Sequence, residues 1–294
     1  MRRLARLIGV LVLALNAALA FAQQATRFPQ DYHGLWWNPA ESGWGVSVFD
    51  QGGTVLSSVI FLYGPDGNPT WYIAPHVADC AAEFVPFVDI TCGGKIYQTT
   101  GPWFASGPFN PEQVIAREVG DWSGDFTGPF AAGLPARQLG LTVTIDGETL
   151  KRSELMPQDI SGSAVTNYSQ ADSRFTDLWW NPDESGWGVG VFHYKGTIFS
   201  VLFVYGATHQ PTWYVLSLHE TTAPGDKTQR TFEGPVFATH GSWWLTTPFK
   251  LSEVRTAGSA RLVFPNDDIN ASLSYTIDAN TVQTVIRRES SARP

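Results

Sequence analysis

The polar side chains with the best potential for chemistry lie in a tryptophan-rich block that occurs twice in the chain. Glu41 stands three residues before Trp44, and Glu184 stands three residues before Trp187. A carboxyl group beside tryptophan rings can serve as a general acid, or can accept hydrogen bonds from sugar hydroxyls while a ring stacks on the sugar. Glu41 and Glu184 are therefore the candidate catalytic residues.

A structural role competes with chemistry at both glutamates, and the sequence favours it. The surrounding Asn-Pro-x-Glu-Ser-Gly is rich in turn-forming residues, whose side chains satisfy backbone groups that a tight turn leaves unpaired. Asp146 and Asp278 also recur near the end of each copy. Because Asp146 precedes Gly147 in a hairpin-type dipeptide, a catalytic pairing of Glu41 with Asp146 is the weaker hypothesis.

The same block supplies a candidate ligand-binding surface of aromatic rings. Adjacent tryptophans in an extended segment point to opposite faces, so one ring of each pair is expected in the core and the other at the surface or a domain interface. Burial alone explains the retention of most rings, since each removes about 150–250 Å² from water. The candidate ligand-binding residues are Trp36, Trp37, Glu41, Trp44, Trp179, Trp180, Glu184 and Trp187.

Other chemistries find no support in the sequence. The six histidines fall at different places in the two copies and lack the spacing of metal ligands. The chain has no nucleophile elbow, no phosphate-binding glycine loop and no dinucleotide fingerprint. We therefore expect neither a metal nor a cofactor.

An internal duplication organises the chain. Residues 35–45, LWWNPAESGWG, return as residues 178–188, LWWNPDESGWG, with ten of eleven positions identical. The match continues through a PTWY segment and ends in LTVTID and LSYTID. These limits predict one domain over residues 25–156, a Ser-, Asp- and Asn-rich linker over 157–174, and a second domain over 175–289.

Each copy has the pattern of a β domain. Short runs of β-branched and aromatic residues are separated by turn signals such as Asp66-Gly67-Asn68-Pro69 and Asp146-Gly147. No segment of ten residues after the N-terminal region shows convincing helical periodicity. We predict an all-β protein of two tandem antiparallel domains, each a barrel or a sandwich-like fold of about seven strands.

The tandem LWWNPxESGWG block, with the strand and PTWY segment that follow it, resembles a group of exported bacterial repeat proteins. The resemblance covers nearly all of the chain after residue 22. It implies the repeated domain and export, and it brings no activity to transfer. The meander of short strands also resembles avidin and lipocalin barrels in fold alone, and fold does not imply function.

The N-terminus has the pattern of a secretory signal peptide over residues 1–22. Arg2, Arg3 and Arg6 precede an apolar run over 7–19, and Ala20-Phe21-Ala22 fits the cleavage pattern. No second hydrophobic stretch follows, so we expect no membrane span after cleavage and a periplasmic or extracellular location. In an exported chain, Cys80 and Cys92 are expected to form a disulfide.

These patterns predict an exported, non-catalytic binding protein for a carbohydrate or a small amphipathic ligand. The formal net charge of −8 and the lack of a basic run after the signal peptide exclude a nucleic-acid role. One alternative is a secreted polysaccharide hydrolase or lyase that uses Glu41 or Glu184 as its acid/base. Another is a module that binds a second protein of the cell envelope.

Overall fold

The computed structural model describes residues 32–51, 55–81, 90–127, 138–158 and 174–289, without the side chains of 79–81. The predicted signal peptide, most of the predicted linker and the side chain of Cys80 lie outside this part of the chain. Nearly all of the regular structure in it is β-strand.

The first copy forms a closed antiparallel barrel of eight strands, which we call the first barrel. Each strand pairs with the next along the chain, and β8 returns to pair with β1. The strands are β1 (Gly34–Trp37), β2 (Gly45–Asp50), β3 (Leu56–Tyr63), β4 (Pro69–Ala81), β5 (Ile90–Thr100), β6 (Ile115–Thr127), β7 (Gln138–Ile145) and β8 (Glu148–Pro157).

The second copy repeats this topology as the second barrel, with β16 paired to β9. Its strands are β9 (Asp177–Trp180), β10 (Gly188–Tyr194), β11 (Thr197–Tyr205), β12 (Pro211–Glu220), β13 (Gln229–Gly241), β14 (Leu251–Pro265), β15 (Asn270–Ile277) and β16 (Asn280–Arg288). In the first barrel, short 3₁₀ helices at Pro39–Glu41 and Pro111–Gln113 interrupt the loops.

The all-β, antiparallel prediction is confirmed, and the count of about seven strands is corrected to eight in each barrel. The Leu-Trp-Trp segment is too short to show strand periodicity, yet it is the strand that closes each barrel. Trp36 pairs with Val46 of β2 on one side and with Pro157 of β8 on the other. The Asp146–Gly147 hairpin is also confirmed, because both residues have positive φ between β7 and β8.

Large aromatic side chains fill the interior of each barrel. Trp36, Trp122 and Phe126 are almost completely buried in the first barrel. In the second, the rings of Phe175 and Phe264 stack with their centroids 4.0 Å apart. The interiors are therefore packed cores, and a ligand site has to be sought at the barrel ends.

The two barrels pack against each other through a reciprocal aromatic interface. Trp71 Nε1 donates to Val204 O at 3.1 Å, and its counterpart Trp213 Nε1 donates to Leu62 O at 3.0 Å. Phe61 and Phe203 also meet across the interface, with ring centroids 6.1 Å apart. Both PTWY segments of the repeat therefore serve the contact between the copies.

Each barrel also sends a loop across to the other. Loop A, residues 101–110 after β5, lies on the second barrel, where Phe104 N donates to Tyr205 O at 3.1 Å. Loop B, residues 242–250 after β13, lies on the first barrel, where Trp244 N donates to Tyr63 O at 3.2 Å. The surface at one end of each barrel is thus built from both copies.

Candidate functional site

The paired tryptophans of the repeat divide between core and surface. Trp36 and Trp179 are buried and donate their indole N–H groups to Tyr32 O and Phe175 O at 3.2 and 3.0 Å. Both are core residues with no access to a ligand in this structure. Their neighbours Trp37 and Trp180 are half-buried, as expected for successive residues of a strand.

The Asn-Pro-x-Glu-Ser-Gly turn holds the two candidate glutamates. The side chain of Asn38 accepts from Ala40 N at 3.0 Å, and that of Asn181 accepts from Asp183 N at 3.0 Å. These bonds close the turn and place each glutamate one turn before its tryptophan. The asparagines therefore have a structural role.

The recurring aspartates are both engaged in ion pairs on the surface. Arg117 Nη1 lies 2.6 Å from Asp146 Oδ1, and Arg255 Nη1 lies 2.7 Å from Asp278 Oδ1. Hydrogen bonds from these guanidinium groups lower the pKa of each aspartate. The pairing at the hairpin accounts for the presence of this aspartate in both copies. Within the described residues, the structure records no contact between Asp146 and Glu41.

The two glutamates share one hydrogen bond and differ in their ion pairing. Trp44 Nε1 donates to Glu41 Oε2 at 3.3 Å, and Arg152 Nε donates to the same oxygen at 2.7 Å. Trp187 Nε1 donates to Glu184 Oε2 at 3.2 Å. Within the described residues no cationic side chain lies within ion-pair distance of Glu184.

A cavity of about 500 Å³ opens beside Glu184 and Trp187, and we call it the junction pocket. Loop A of the first copy forms one wall, and the motif turn and the β15–β16 hairpin of the second copy form the others. Its aromatic lining consists of Phe104, Phe109, Trp187, Tyr205 and Tyr275, and its polar lining includes Glu184, Asn280, Thr281, Gln283 and Thr284.

Tyr275 supplies a second polar group in the junction pocket. Its side chain is nearly buried, and its ring packs against Phe104 with centroids 5.9 Å apart. Burial raises the pKa of the Tyr275 hydroxyl, and the charge of Glu184 raises it further. The hydroxyl is therefore protonated at neutral pH and can donate a hydrogen bond.

The structure brings together only part of the predicted surface. Glu184 and Trp187 line the junction pocket, whereas Trp36 and Trp179 lie in the barrel cores. Phe104, Phe109, Tyr275 and Thr284 also line the pocket and were not predicted from the sequence. A comparison of the two copies along β8 and β16 would have pointed to Thr284, since arginine stands at the matching position in the first copy.

The remaining candidates add little to the site. Cys92 is buried and is not a free thiol, and its predicted pairing with Cys80 stays a prediction because the Cys80 side chain is not described. The described residues contain no group of three or more His, Cys, Asp or Glu placed to hold a metal ion. Among the described helices, none has the length and apolar character needed to cross a membrane.

The protein is thus an all-β protein of two closed barrels with a pocket at the junction of its copies. Comparison with known proteins gives no matching family model, no matching curated protein and no matching solved structure. The function is therefore inferred from the geometry of the junction pocket.

Proposed function

We propose that the protein is an exported, non-catalytic binding protein for a small amphipathic ligand or a carbohydrate, with its ligand site in the junction pocket. The observation that carries the proposal is the combination of an aromatic wall with Glu184 and Tyr275 as polar groups in one cavity. Its volume of about 500 Å³ lies within the range of small-molecule sites. Export is part of the proposal through the signal-peptide pattern over residues 1–22.

The lining suits a ligand with an apolar body and a polar end. Phe104 and Phe109 reach the pocket from loop A, and Tyr205 and Tyr275 from the second barrel, so an apolar group can be covered from two sides. Burying such a group is worth roughly 25 cal/mol per Å² of surface removed from water. The carboxylate of Glu184 and the Tyr275 hydroxyl would fix the orientation of the polar end.

The enzyme alternative, with Glu41 or Glu184 as acid/base, has less support. Hydrolysis of a glycosidic bond ordinarily uses two carboxyl groups about 5–10 Å apart. Among the described residues, Glu184 is the sole carboxylate that lines the junction pocket, and Glu41 is paired with Arg152. Release of sugar from a polysaccharide by the wild type, together with loss of turnover without unfolding in Glu184→Gln, would favour the enzyme instead.

The binding function can be tested with a variant that fills the pocket. The mature protein is titrated with a panel of glycans and small amphiphiles, with tryptophan fluorescence and calorimetry as readouts. Ala105→Trp places a large ring in the lining and should abolish binding of any ligand found. The matched control is Leu245→Trp, at the corresponding place in loop B, which lies on the other barrel and should leave binding intact.

A ligand that binds the wild type and Ala105→Trp equally well would place binding elsewhere and contradict the proposal. A panel without any binding would also contradict it. In that case, co-purification with a protein from the cell envelope would instead favour the protein-interaction alternative.

A further inference from the structure

We infer that the junction pocket binds its ligand through an organic cation, an ammonium or guanidinium group, that pairs with Glu184. This inference rests on the proposed function, because it specifies the chemistry of the ligand. The two copies hold their glutamates in the same way, with Oε2 of Glu41 and of Glu184 each accepting a hydrogen bond from the indole three residues later. The copies can therefore be compared atom by atom at this position.

In the first barrel, a guanidinium group already occupies the position beside the carboxylate. Arg152 Nε lies 2.7 Å from Glu41 Oε2, and both side chains are largely shielded from solvent. A carboxylate in such surroundings is stable when a positive group pairs with it and donates a hydrogen bond. The Glu41–Arg152 pair thus shows which chemical group this setting accepts.

In the second barrel, threonine replaces that arginine. Arg152 lies opposite Leu141 in the β7–β8 ladder, and Thr284 lies opposite Leu273 in the β15–β16 ladder, which is the matching register. Thr284 is short and neutral, and its hydroxyl accepts a hydrogen bond from Asn181 Nδ2 at 3.2 Å. Glu184 and Thr284 both line the junction pocket, where the arginine side chain would otherwise lie.

The surroundings of Glu184 favour a cation over a neutral or anionic group. A neutral ligand that excluded water would leave the carboxylate without a countercharge, which is costly, and an anion would be repelled. The formal net charge of −8 also favours the approach of cations.

The test compares matched charged and neutral probes on the full mature protein. n-Butylguanidinium is titrated by calorimetry against n-butylurea, which has the same shape without the charge. Glucosamine against N-acetylglucosamine forms a second pair and distinguishes a cationic sugar from other organic cations. We expect each pocket-binding cation to exceed its neutral partner in affinity by at least about tenfold, as for a charge-assisted hydrogen bond.

Two variants and one control connect this preference to the pocket. Thr284→Arg should supply the missing guanidinium from within the chain, so cation binding should be lost while thermal stability is kept or increased. Glu184→Gln should reduce cation affinity by at least about tenfold and change that of the neutral probe little. Val285→Arg adds the same charge one residue away on an exposed side chain outside the pocket lining, and it should keep binding.

The outcomes separate this inference from the proposed function. Cation binding that is lost in Thr284→Arg and kept in Val285→Arg supports the inference. Equal affinity for the charged and neutral probes, or preference for a neutral glycan, with Ala105→Trp still abolishing binding, overturns the cation inference and leaves the proposed function in place. Failure of every cationic and neutral ligand to bind overturns both.

Discussion

Trp71 and Trp213 exchange hydrogen bonds between the barrels, each donating its indole N–H to a backbone carbonyl of the other copy. Both side chains are buried, so each bond satisfies a donor and an acceptor that have little access to water. The two barrels are therefore joined by a shared core, and the pocket at their junction depends on that contact.

Removing one of these indoles should destabilise the whole molecule. In Trp213→Phe, the carbonyl of Leu62 loses the indole donor and the smaller ring leaves a gap, so we expect a loss of about 2–4 kcal/mol in the free energy of unfolding. Trp71→Phe should cost a similar amount. Both variants should unfold in a single cooperative transition whose urea midpoint is lower than that of the wild type. Trp37→Phe, at a half-buried ring, is the control with a smaller loss. Separate transitions, with each variant shifting one of them, would contradict a shared core.

The Glu41–Arg152 pair should contribute more stability than the pairs at the hairpins. Arg152→Met leaves a partly buried carboxylate unpaired, and we expect a loss of about 1–2 kcal/mol, between the values for exposed and fully buried pairs. Arg117→Met is the matched control, because both side chains of the Arg117–Asp146 pair are more than half exposed. That variant should lose less than about 1 kcal/mol in urea unfolding. Equal losses of stability in the two variants would contradict the prediction that burial makes the Glu41–Arg152 pair the more stabilising one.

Alkaline pH should weaken the contact between the barrels through Tyr205. Its hydroxyl donates to Gly186 O of its own copy at 2.5 Å and lies 3.0 Å from Thr99 Oγ1 of the first copy. Burial raises its pKa to about 12, above the usual value of about 10. Because the folded-state pKa is the higher one, this stability is fully present below about pH 10 and is lost as the pH rises through about 12. The difference of about two between the unfolded-state and folded-state pKa of Tyr205 corresponds to about 2–3 kcal/mol in the free energy of unfolding.

The check on Tyr205 is urea unfolding measured from pH 9 to about 12. Tyr205→Phe should be less stable than the wild type at pH 9, where it lacks the hydrogen bond, and should lose less stability as the pH rises. Tyr97→Phe, at a half-buried ring on β5, is the control and should keep the wild-type pH dependence. If stability falls with pH as steeply in Tyr205→Phe as in the wild type, the loss of stability at alkaline pH comes from other tyrosines.

Gly186 is required both for its backbone and for the space beside it. Its φ is +126°, and an added Cβ would lie 2.6 Å from Cγ2 of Val114, a residue of the other copy. Gly107→Ala measures the backbone part alone. The φ of Gly107 is +111°, and no atom of the described residues, apart from its chain neighbours, lies within 4 Å of an added Cβ. We expect the free energy of unfolding to fall by about 1–3 kcal/mol in Gly107→Ala and by more in Gly186→Ala. Adding Val114→Ala should recover part of the difference; no recovery would exclude the steric contact as the cause.

Much of the fold was accessible from the sequence because its signals are local. The Asp146–Gly147 dipeptide determined a two-residue hairpin through its backbone preferences, and the alternation of rings at Trp36 and Trp37 followed from strand geometry. The strand count fell short because β1 and β9 span only four residues each, which is too few for a periodic pattern. Barrel closure depends on pairing between β1 and β8, which are more than a hundred residues apart.

The residue pattern of the chain was enough to predict two copies of one β domain, each with a motif glutamate close to a tryptophan. Which glutamate lines a pocket depends on contacts between the two copies. Phe104 is distant in sequence from Glu184 and Tyr275, and the three line one pocket because loop A crosses from the first barrel to the second. Such a site depends on contacts between the two copies. Hydrophobic patterns report on residues that are near one another in the chain, so they do not predict these long-range contacts.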